Sequence, residues 1–157
     1  MKYVGIDPGA SGGIAVILPH EEYVAPLPQT ESEVYDLLHT HLSPDPDDDT
    51  TTEVRVAIER VHAIPGIGST SSSFTFGRNY GFVRGVLTSL SSLGVRWQDV
   101  PPQTWQRGLG IPKECQGQDR KRQLASIARQ RFPMCRVTLK TCDALLIAEW
   151  LSQQPRP

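Results

Sequence analysis

Two short β-branched runs near the start of the chain, residues 3–6 and 13–18, are the strongest constraint on its fold. They are separated by residues 7–12, DPGASG, which are dense in turn-forming residues. This pattern predicts a β-hairpin, and residues 23–25 predict a third strand. A hairpin with one apolar face needs other elements to cover it, and the rest of the chain supplies them.

Helices and single strands alternate after this hairpin. Thr30 and Glu33 form a capping box ahead of apolar residues at helical spacing, which predicts an amphipathic helix from Glu31. Two further strands and three further helices are predicted: strands at 54–59 and 95–97, the second ended by Pro101-Pro102, and helices at 74–93, 119–132 with Asp119 as its cap, and 143–151. The order predicts an α/β domain whose sheet mixes an antiparallel hairpin with parallel strands.

Charge is distributed unevenly along the chain, although 16 Lys and Arg against 17 Asp and Glu leave a net charge of −1. Residues 1–53 carry one basic and eleven acidic side chains, whereas residues 103–140 carry nine basic and two acidic ones. Such asymmetry points to contact with nucleic acid or a membrane surface. The near-neutral total therefore does not exclude DNA as a partner.

Composition and the termini exclude several classes of protein. A content of 38% hydrophobic and 21% charged residues is typical of a globular chain. The longest apolar run, residues 144–148, is far shorter than the roughly 18 residues that span a bilayer, so no membrane contact is predicted. The start of the chain lacks the features of a secretory signal, which predicts an intracellular protein. Three cysteines without C-x-x-C spacing predict reduced thiols: Cys115, Cys135 and Cys142.

Three carboxylates lie at the ends of predicted elements that a sheet fold would bring close together. Asp7 follows the first strand, Glu59 ends the fourth, and Asp143 opens the last, apolar helix. If the two strands are parallel neighbours, their acids stand side by side where open α/β sheets bind ligands. Grouped carboxylates repel one another unless a cation lies between them, and oxygen ligands suit Mg²⁺ or Mn²⁺.

Each acid also has a purely structural alternative. Asp7 could cap its own Asp-Pro-Gly turn, and Asp143 could cap its helix. Glu59 could pair with Arg60 or Arg84 at the end of the strand. Spacing alone leaves these alternatives open.

Several motifs occur in an order that resembles the RuvC-like Holliday junction resolvases. Residues 5–13, GIDPGASGG, are followed by AIERV at 57–61 and CDALLIA at 142–148. GRNYGFVRGVL at 77–87 and VPPQTW at 100–105 resemble the family's glycine-rich helix and strand-to-loop segment. The ribonuclease H, actin and sugar-kinase groups share the front motif, but the combination spans nearly the whole chain. The acidic loop and short tail suggest a phage-type or otherwise divergent member.

The resemblance implies a ribonuclease H-like fold, with a mixed five-stranded sheet and helices on both faces. It implies a single nuclease domain over 1–157, in which the prolines and the Asp47–Asp49 run predict a flexible acidic loop at 43–53, followed at the other end by a short tail at 152–157. It also implies a homodimer that binds four-way DNA junctions and makes paired nicks with Mg²⁺, for which Mn²⁺ can substitute. The expected location is the cytoplasm of a bacterial or phage-infected cell, with nucleoid-associated and organellar locations left open.

Three of the family's four acidic positions are matched here, by Asp7, Glu59 and Asp143, which are expected to be catalytic and to bind metal. The fourth position, three residues before Asp143, is Lys140, and an ammonium group cannot bind a metal ion. Either water or another residue supplies that ligand, or Lys140 takes a catalytic role by neutralising the phosphate. Glu149 is a poor substitute because it points to another face of the helix.

The DNA-binding residues are expected in the basic segment and in the loop after Glu59. His62 falls where the resemblance places an aromatic wedge, and Phe74 or Phe76 could take over base stacking. The expected DNA contacts are His62, Phe74, Arg78, Lys113, Arg120, Lys121 and Arg122, of which the last three form a phosphate clamp aided by a helix N-terminus. A stripe of Gly77, Gly81 and Gly85 marks the expected dimer helix.

The sequence therefore predicts a metal-dependent endonuclease that resolves four-way junctions in DNA recombination and repair. One alternative is a ribonuclease H-like nuclease that cuts RNA or an RNA–DNA hybrid. Another is a branched-DNA-binding protein in which Lys140 marks weakened catalysis.

The charge pattern generates a prediction about salt. Affinity for junction DNA is expected to fall steeply as salt rises, because the basic segment 103–140 displaces counterions from phosphates. Titration of a labelled junction at several salt concentrations measures this dependence. A flat response would contradict a basic DNA track.

Overall fold

A computed structural model describes residues 1–43, 52–60, 70–113 and 115–155, and the side chains of the helix that begins at Thr70 from residue 73 onward. The predicted acidic loop at 43–53 lies mostly outside the described residues, and so do His62 and the last two residues of the predicted tail.

Five strands form one mixed sheet, as predicted. The strands are β1 (Lys2–Asp7), β2 (Gly13–Ile17), β3 (Glu22–Pro26), β4 (Val54–Glu59) and β5 (Arg96–Val100). Their spatial order is β3-β2-β1-β4-β5, with β1 antiparallel to β2 and β2 antiparallel to β3, whereas β4 runs parallel to both β1 and β5. The hairpin and the parallel additions confirm the predicted α/β class.

Helices cover both faces of the sheet. They are α1 (Glu31–Leu42), α2 (Thr70–Leu90), α3 (Pro102–Gly108), α4 (Gly117–Arg131) and α5 (Cys142–Ser152). A 3₁₀ turn at Ser91–Leu93 extends α2 to Gly94, whose φ of +88° suits a glycine stop. Thr30 caps α1 as predicted, since the backbone N–H of Glu33 donates to Thr30 Oγ1 at 3.3 Å, and the Thr30 hydroxyl in turn donates to Glu33 Oε2 at 2.6 Å.

The alternation of side chains along β1 separates two cores. Val4 and Ile6 are fully buried on the face covered by α1 and α2. Gly5 lies on the other face, where α3, α4 and α5 pack, and so does the side chain of Asp7. Because successive side chains of β1 point to opposite faces, Asp7 lies on the face opposite Val4 and Ile6.

Three local predictions were wrong. The fifth strand spans Arg96–Val100 rather than 95–97, and helix α3 was not predicted. Pro101 does end the strand, but Pro102 then sits at the first helical position, where its fixed φ and missing N–H favour a helix start.

The third wrong prediction concerns the start of α4. The helix begins at Gly117, with Gln116 at the capping position, and Asp119 lies inside its first turn. Asp119 pairs with Arg122, three residues further along the same helix face, instead of capping.

Within the part of the chain that the structure describes, none of the helices combines the length and the apolar content needed to cross a bilayer.

The closest approach between the sheet and α5 generates a prediction. A Cβ added at Gly5 would lie 2.0 Å from Ala144 O and 2.5 Å from Ala148 N, so Gly5→Ala is expected to cost about 3 kcal/mol or more in the free energy of unfolding. Urea denaturation measures the loss. The matched control is Gly81→Ala, where nothing lies within 4 Å and stability should rise by about 0.5–1 kcal/mol. Equal effects at the two sites would contradict this packing.

Candidate metal centre and nucleic-acid interface

Three different elements bring three carboxylates together. Asp7 and Glu59 end the parallel neighbours β1 and β4, which pair in register through Ile6 and Ile58. Asp143 is the second residue of α5, which crosses β1 at Gly5. One carboxylate oxygen of each acid lies within 4.8 Å of the others.

Each carboxylate accepts a hydrogen bond from an uncharged donor, which helps to fix its orientation. Gly9 N donates to Asp7 Oδ1 at 3.0 Å, and Trp105 Nε1 donates to Glu59 Oε1 at 3.0 Å. The thiol of Cys142 donates to Asp143 Oδ1 at 3.2 Å. The second oxygen of Glu59 stays available to a ligand, whereas those of Asp7 and Asp143 face the ammonium group of Lys121.

These contacts decide between the alternatives left open by the sequence. Asp7 does cap its turn through Gly9, and it contributes to the cluster as well. The pairing of Glu59 with Arg84 is wrong, because Arg84 pairs with Asp99 at 3.6 Å. Asp143 is not the helix cap, since Thr141 occupies that position.

Lys121 supplies a positive charge to the cluster. Its Nζ lies 2.5 Å from Asp143 Oδ2 and 3.5 Å from Asp7 Oδ2. Burial works to lower the pKa of Lys121, but the charges of Asp143 and Asp7 outweigh it and raise the pKa. Lys121 is thus held in its protonated form within the cluster.

One ammonium group does not neutralise three carboxylates. Burial, reinforced by the charges of Asp7 and Asp143, raises the pKa of Glu59 to about 8. Burial also raises the pKa of Asp7, and the charge of Asp143 adds to this although Lys121 opposes it. The cluster therefore binds either a proton or a further cation near neutral pH.

The donor set fits a hard divalent cation. All three candidate ligands are carboxylates, which Mg²⁺ and Mn²⁺ prefer. Burial and the charge of Asp143 raise the pKa of the Cys142 thiol to about 12, and a soft sulfur ligand does not suit a hard cation such as Mg²⁺. Glu149 is held elsewhere, by Arg131 at 2.9 Å, which agrees with its expected direction.

A cleft of about 400 Å³ opens beside Asp7 and Lys121. Lys140 is exposed and lines this cleft. Its backbone N–H donates to Thr138 Oγ1 at 3.2 Å in the turn before α5. Lys140, which the resemblance aligned with a fourth acidic position, therefore adds a positive charge beside the cleft.

The other predicted DNA contacts are distributed around this region. Phe74 is 74% exposed, whereas Phe76 is half-buried next to the turn that carries Asp7, where a Cβ at Gly9 would lie 3.7 Å from its ring. Arg78 is exposed and lies 3.8 Å from Glu31, and Lys113 is exposed. His62 lies outside the described residues.

The predicted help from a helix N-terminus does not hold for Arg120. Its backbone N–H already donates to Gln116 O, so it is not one of the free donors of α4. Its guanidinium donates to Gln106 Oε1 at 2.6 Å, to Gln123 Oε1 at 2.7 Å and to Pro112 O. Arg122 is exposed and pairs with Asp119 at 3.2 Å. DNA contact by these residues stays a prediction.

The sequence reasoning missed two site residues, Trp105 and Cys142, which orient the carboxylates of Glu59 and Asp143. Trp105 could have been found from Pro102, because proline at a first helical position marks the helix that delivers this indole. No sequence signal indicated the role of Cys142. Its contact with Asp143 arises because α5 begins at Cys142.

The raised pKa of Glu59 generates a prediction about stability. Glu59 titrates at about 4.5 in an unfolded chain and at about 8 in the cluster, so the metal-free folded chain binds an extra proton between those values. The free energy of unfolding is expected to be highest below the unfolded pKa and to fall as pH rises toward 8.

Urea denaturation of wild type and Glu59→Gln with a chelator present, between about pH 5 and pH 8, measures this dependence. The glutamine variant should show a flatter profile, because it cannot ionise. Identical profiles for the two proteins would contradict the raised pKa.

Comparisons with known proteins place the fold. No protein-family model matches this sequence, and no curated protein matches it. Two solved structures of RuvC from Thermus thermophilus are similar to it, one of them in complex with a Holliday junction substrate. Each has a TM-score of 0.59 and 18% sequence identity, covering 97% of this chain and 93% of the RuvC chain. The chain therefore has a RuvC-like, ribonuclease H-like fold.

Proposed function

We propose that this protein is a metal-dependent, structure-selective DNA endonuclease that resolves four-way junctions by paired nicks. The observation that carries the proposal is the set of three carboxylates within 4.8 Å of one another at the edge of a RuvC-like sheet. They stand beside an open cleft lined by two lysines, Lys121 and Lys140. Buried carboxylates can bind a divalent cation, and the neighbouring lysines can bind the negatively charged phosphate of a phosphodiester substrate.

Asp7, Glu59 and Asp143 would hold the divalent cation, Mg²⁺ or Mn²⁺, and Lys121 would withdraw from the oxygens of Asp7 and Asp143 that it now contacts. Such a cation lowers the pKa of the attacking water and offsets the charge that develops on the phosphate. The chain itself keeps the three carboxylates oriented through Gly9, Trp105 and Cys142.

Lys121 and Lys140 would act on the phosphate rather than on the metal. Lys121 stays protonated between Asp7 and Asp143, so it offers a hydrogen-bond donor to a phosphate oxygen next to the carboxylates. Lys140 at the cleft supplies positive charge where an acidic ligand would otherwise stand. Residues 1–157 would form a single nuclease domain around this cleft.

The DNA arms would follow the exposed basic residues on the same side of the sheet. Arg120, Arg129 and Arg131 are bonded within the protein. Arg107, Lys113 and Arg136 are exposed and are therefore the better phosphate contacts, and Arg122 is exposed while paired with Asp119 on its own helix. Phe74, exposed near the start of α2, is the candidate for stacking on unpaired bases.

A homodimer would present two clefts to one junction. Gly77, Gly81 and Gly85 lie on the exposed side of α2, and nothing lies within 4 Å of a Cβ at any of them. A second α2 could therefore approach closely along this stripe. A two-fold dimer matches the symmetry of a four-way junction and would place one nick on each of two strands.

One observation favours a second function. Lys140 cannot bind metal, and Lys121 already occupies part of the carboxylate cluster, so the protein could bind branched DNA without cutting it. Metal titration separates the two functions, because a binding protein would show neither cleavage in Mg²⁺ nor rescue by Mn²⁺.

Replacement of Asp7 tests the nuclease. Asp7→Asn removes a charge that no neighbouring carboxylate can replace, and cleavage of a fluorescent four-way junction in Mg²⁺ is expected to fall by about 10³-fold or more. The matched control is Asp36→Asn on the exposed face of α1, which should cut like wild type.

Parallel reactions on an RNA–DNA hybrid and on single strands identify the substrate. Preferential cutting of the hybrid would indicate that the substrate contains RNA and is not the DNA junction. Unchanged cleavage by Asp7→Asn, or a wild type that cuts none of these substrates, would reject the nuclease.

A further inference from the structure

We infer that Trp105 is the positioning residue for Glu59, and that helix α3, which carries no metal ligand, aligns the elements of the metal centre. The inference rests on the proposed metal-binding role of the carboxylates but is independent of the nucleic acid that is cut. It concerns how the site is held rather than what it cleaves.

The first observation is the indole contact. Trp105 is fully buried, and its Nε1–H donates to Glu59 Oε1 at 3.0 Å. Among the described residues, Trp105 makes the hydrogen bond that the Glu59 carboxylate accepts, and no second partner contacts it there. The bond therefore selects one orientation of the carboxylate and leaves Oε2 for a ligand.

An indole suits this position for an electrostatic reason. Its N–H donates a hydrogen bond without bringing a full charge, so it orients Glu59 without competing with a cation for the site. A lysine or arginine at the same place would neutralise the carboxylate. Partners of this kind, which orient ligating carboxylates, commonly change metal affinity by about 10–100-fold when removed.

The second observation is that α3 contacts the helix that carries Asp143. A Cβ at Gly108 would lie 2.6 Å from ring atoms Cδ1 and Nε1 of Trp150 on α5, so the backbone of α3 rests directly against that indole. The contact fixes the distance between α3 and α5. It thereby relates the residue that orients Glu59 to the helix that presents Asp143.

The third observation is that α3 is also bonded to the helix that carries Lys121. Gln106 Oε1 accepts a hydrogen bond from Arg120 at 2.6 Å, and Arg120 immediately precedes Lys121 on α4. Positions 105, 106 and 108 therefore contact β4, α4 and α5 in turn. These are the elements that carry Glu59, Lys121 and Asp143, so one short helix links three of the four charged groups of the site.

Substitution of Trp105 tests the inference. Trp105→Phe keeps an aromatic ring in the core and removes the N–H, and it is expected to weaken Mn²⁺ binding to the DNA-free protein by about 10–100-fold. Calorimetry or electron paramagnetic resonance with Mn²⁺ alone measures this affinity. The control is Trp97→Phe, which alters an indole packed in the opposite core and should change the affinity by less than about twofold.

A second measurement follows the indole signal of Trp105 in the wild-type protein, and it does not require that Trp105 itself be replaced. The chain has three tryptophans, so the indole N–H signal of Trp105 is the one that persists in both Trp97→Phe and Trp150→Phe. Addition of Mg²⁺ is expected to shift this signal with the same midpoint as metal binding, and Glu59→Leu should move it and expose it to solvent exchange.

The outcomes separate this inference from the proposed function. Unchanged Mn²⁺ affinity in a folded Trp105→Phe protein, or an indole signal that Mg²⁺ leaves unmoved, would overturn the positioning role even if the wild type resolves junctions. Mn²⁺ binding that Trp105→Phe weakens, in a protein whose wild type cuts no junction, would support Trp105 and reject junction resolution. A protein without Mn²⁺ binding at the cluster would overturn both.

Discussion

The repulsion among three closely spaced carboxylates is the interaction on which the rest of this structure depends. Asp7, Glu59 and Asp143 lie together in a largely buried setting, and the single ammonium of Lys121 cannot balance them. Burial first, and then the charges of the neighbouring acids, raise the pKa of Glu59 and of Asp7. Carboxylates held this close together destabilise the folded chain, and such groups are typical of functional sites. Oxygen ligands of this kind suit a divalent cation that acts next to a phosphate.

The fold supplies the rigidity that such a cluster requires. Parallel pairing of β1 and β4 sets the spacing of Asp7 and Glu59, and the absence of a side chain at Gly5 lets α5 approach the sheet closely enough to add Asp143. Neutral donors then orient the carboxylates without cancelling their charge: a backbone N–H, an indole and a thiol. The close packing around the site thus offsets the unfavourable repulsion among its carboxylates.

Tertiary contacts also divide the basic residues into two groups. The density of positive charge in 103–140 suggested a continuous phosphate track, but several of these side chains hold the protein together. Lys121 joins the carboxylates, Arg120 ties α4 to α3, and Arg131 binds Glu149 on α5. Arg107 and Arg136 are exposed, so the positive charge available to the proposed DNA substrate is smaller than the sequence count suggests.

The sequence by itself determined the sheet and the three acids, because side chain alternation, turn residues and helical spacing are local signals that Tyr3 to Ile17 and Val54 to Glu59 carry within a few residues. It did not reveal α3, the bond from Trp105 to Glu59, or the place of Lys121 between Asp7 and Asp143. These contacts join residues 22 to 114 positions apart, and only the packing of α3, α4 and α5 on one face of the sheet brings them within hydrogen-bond distance. The sequence thus identified the strands and the three acids through local signals, whereas tertiary packing determined which side chains contact them.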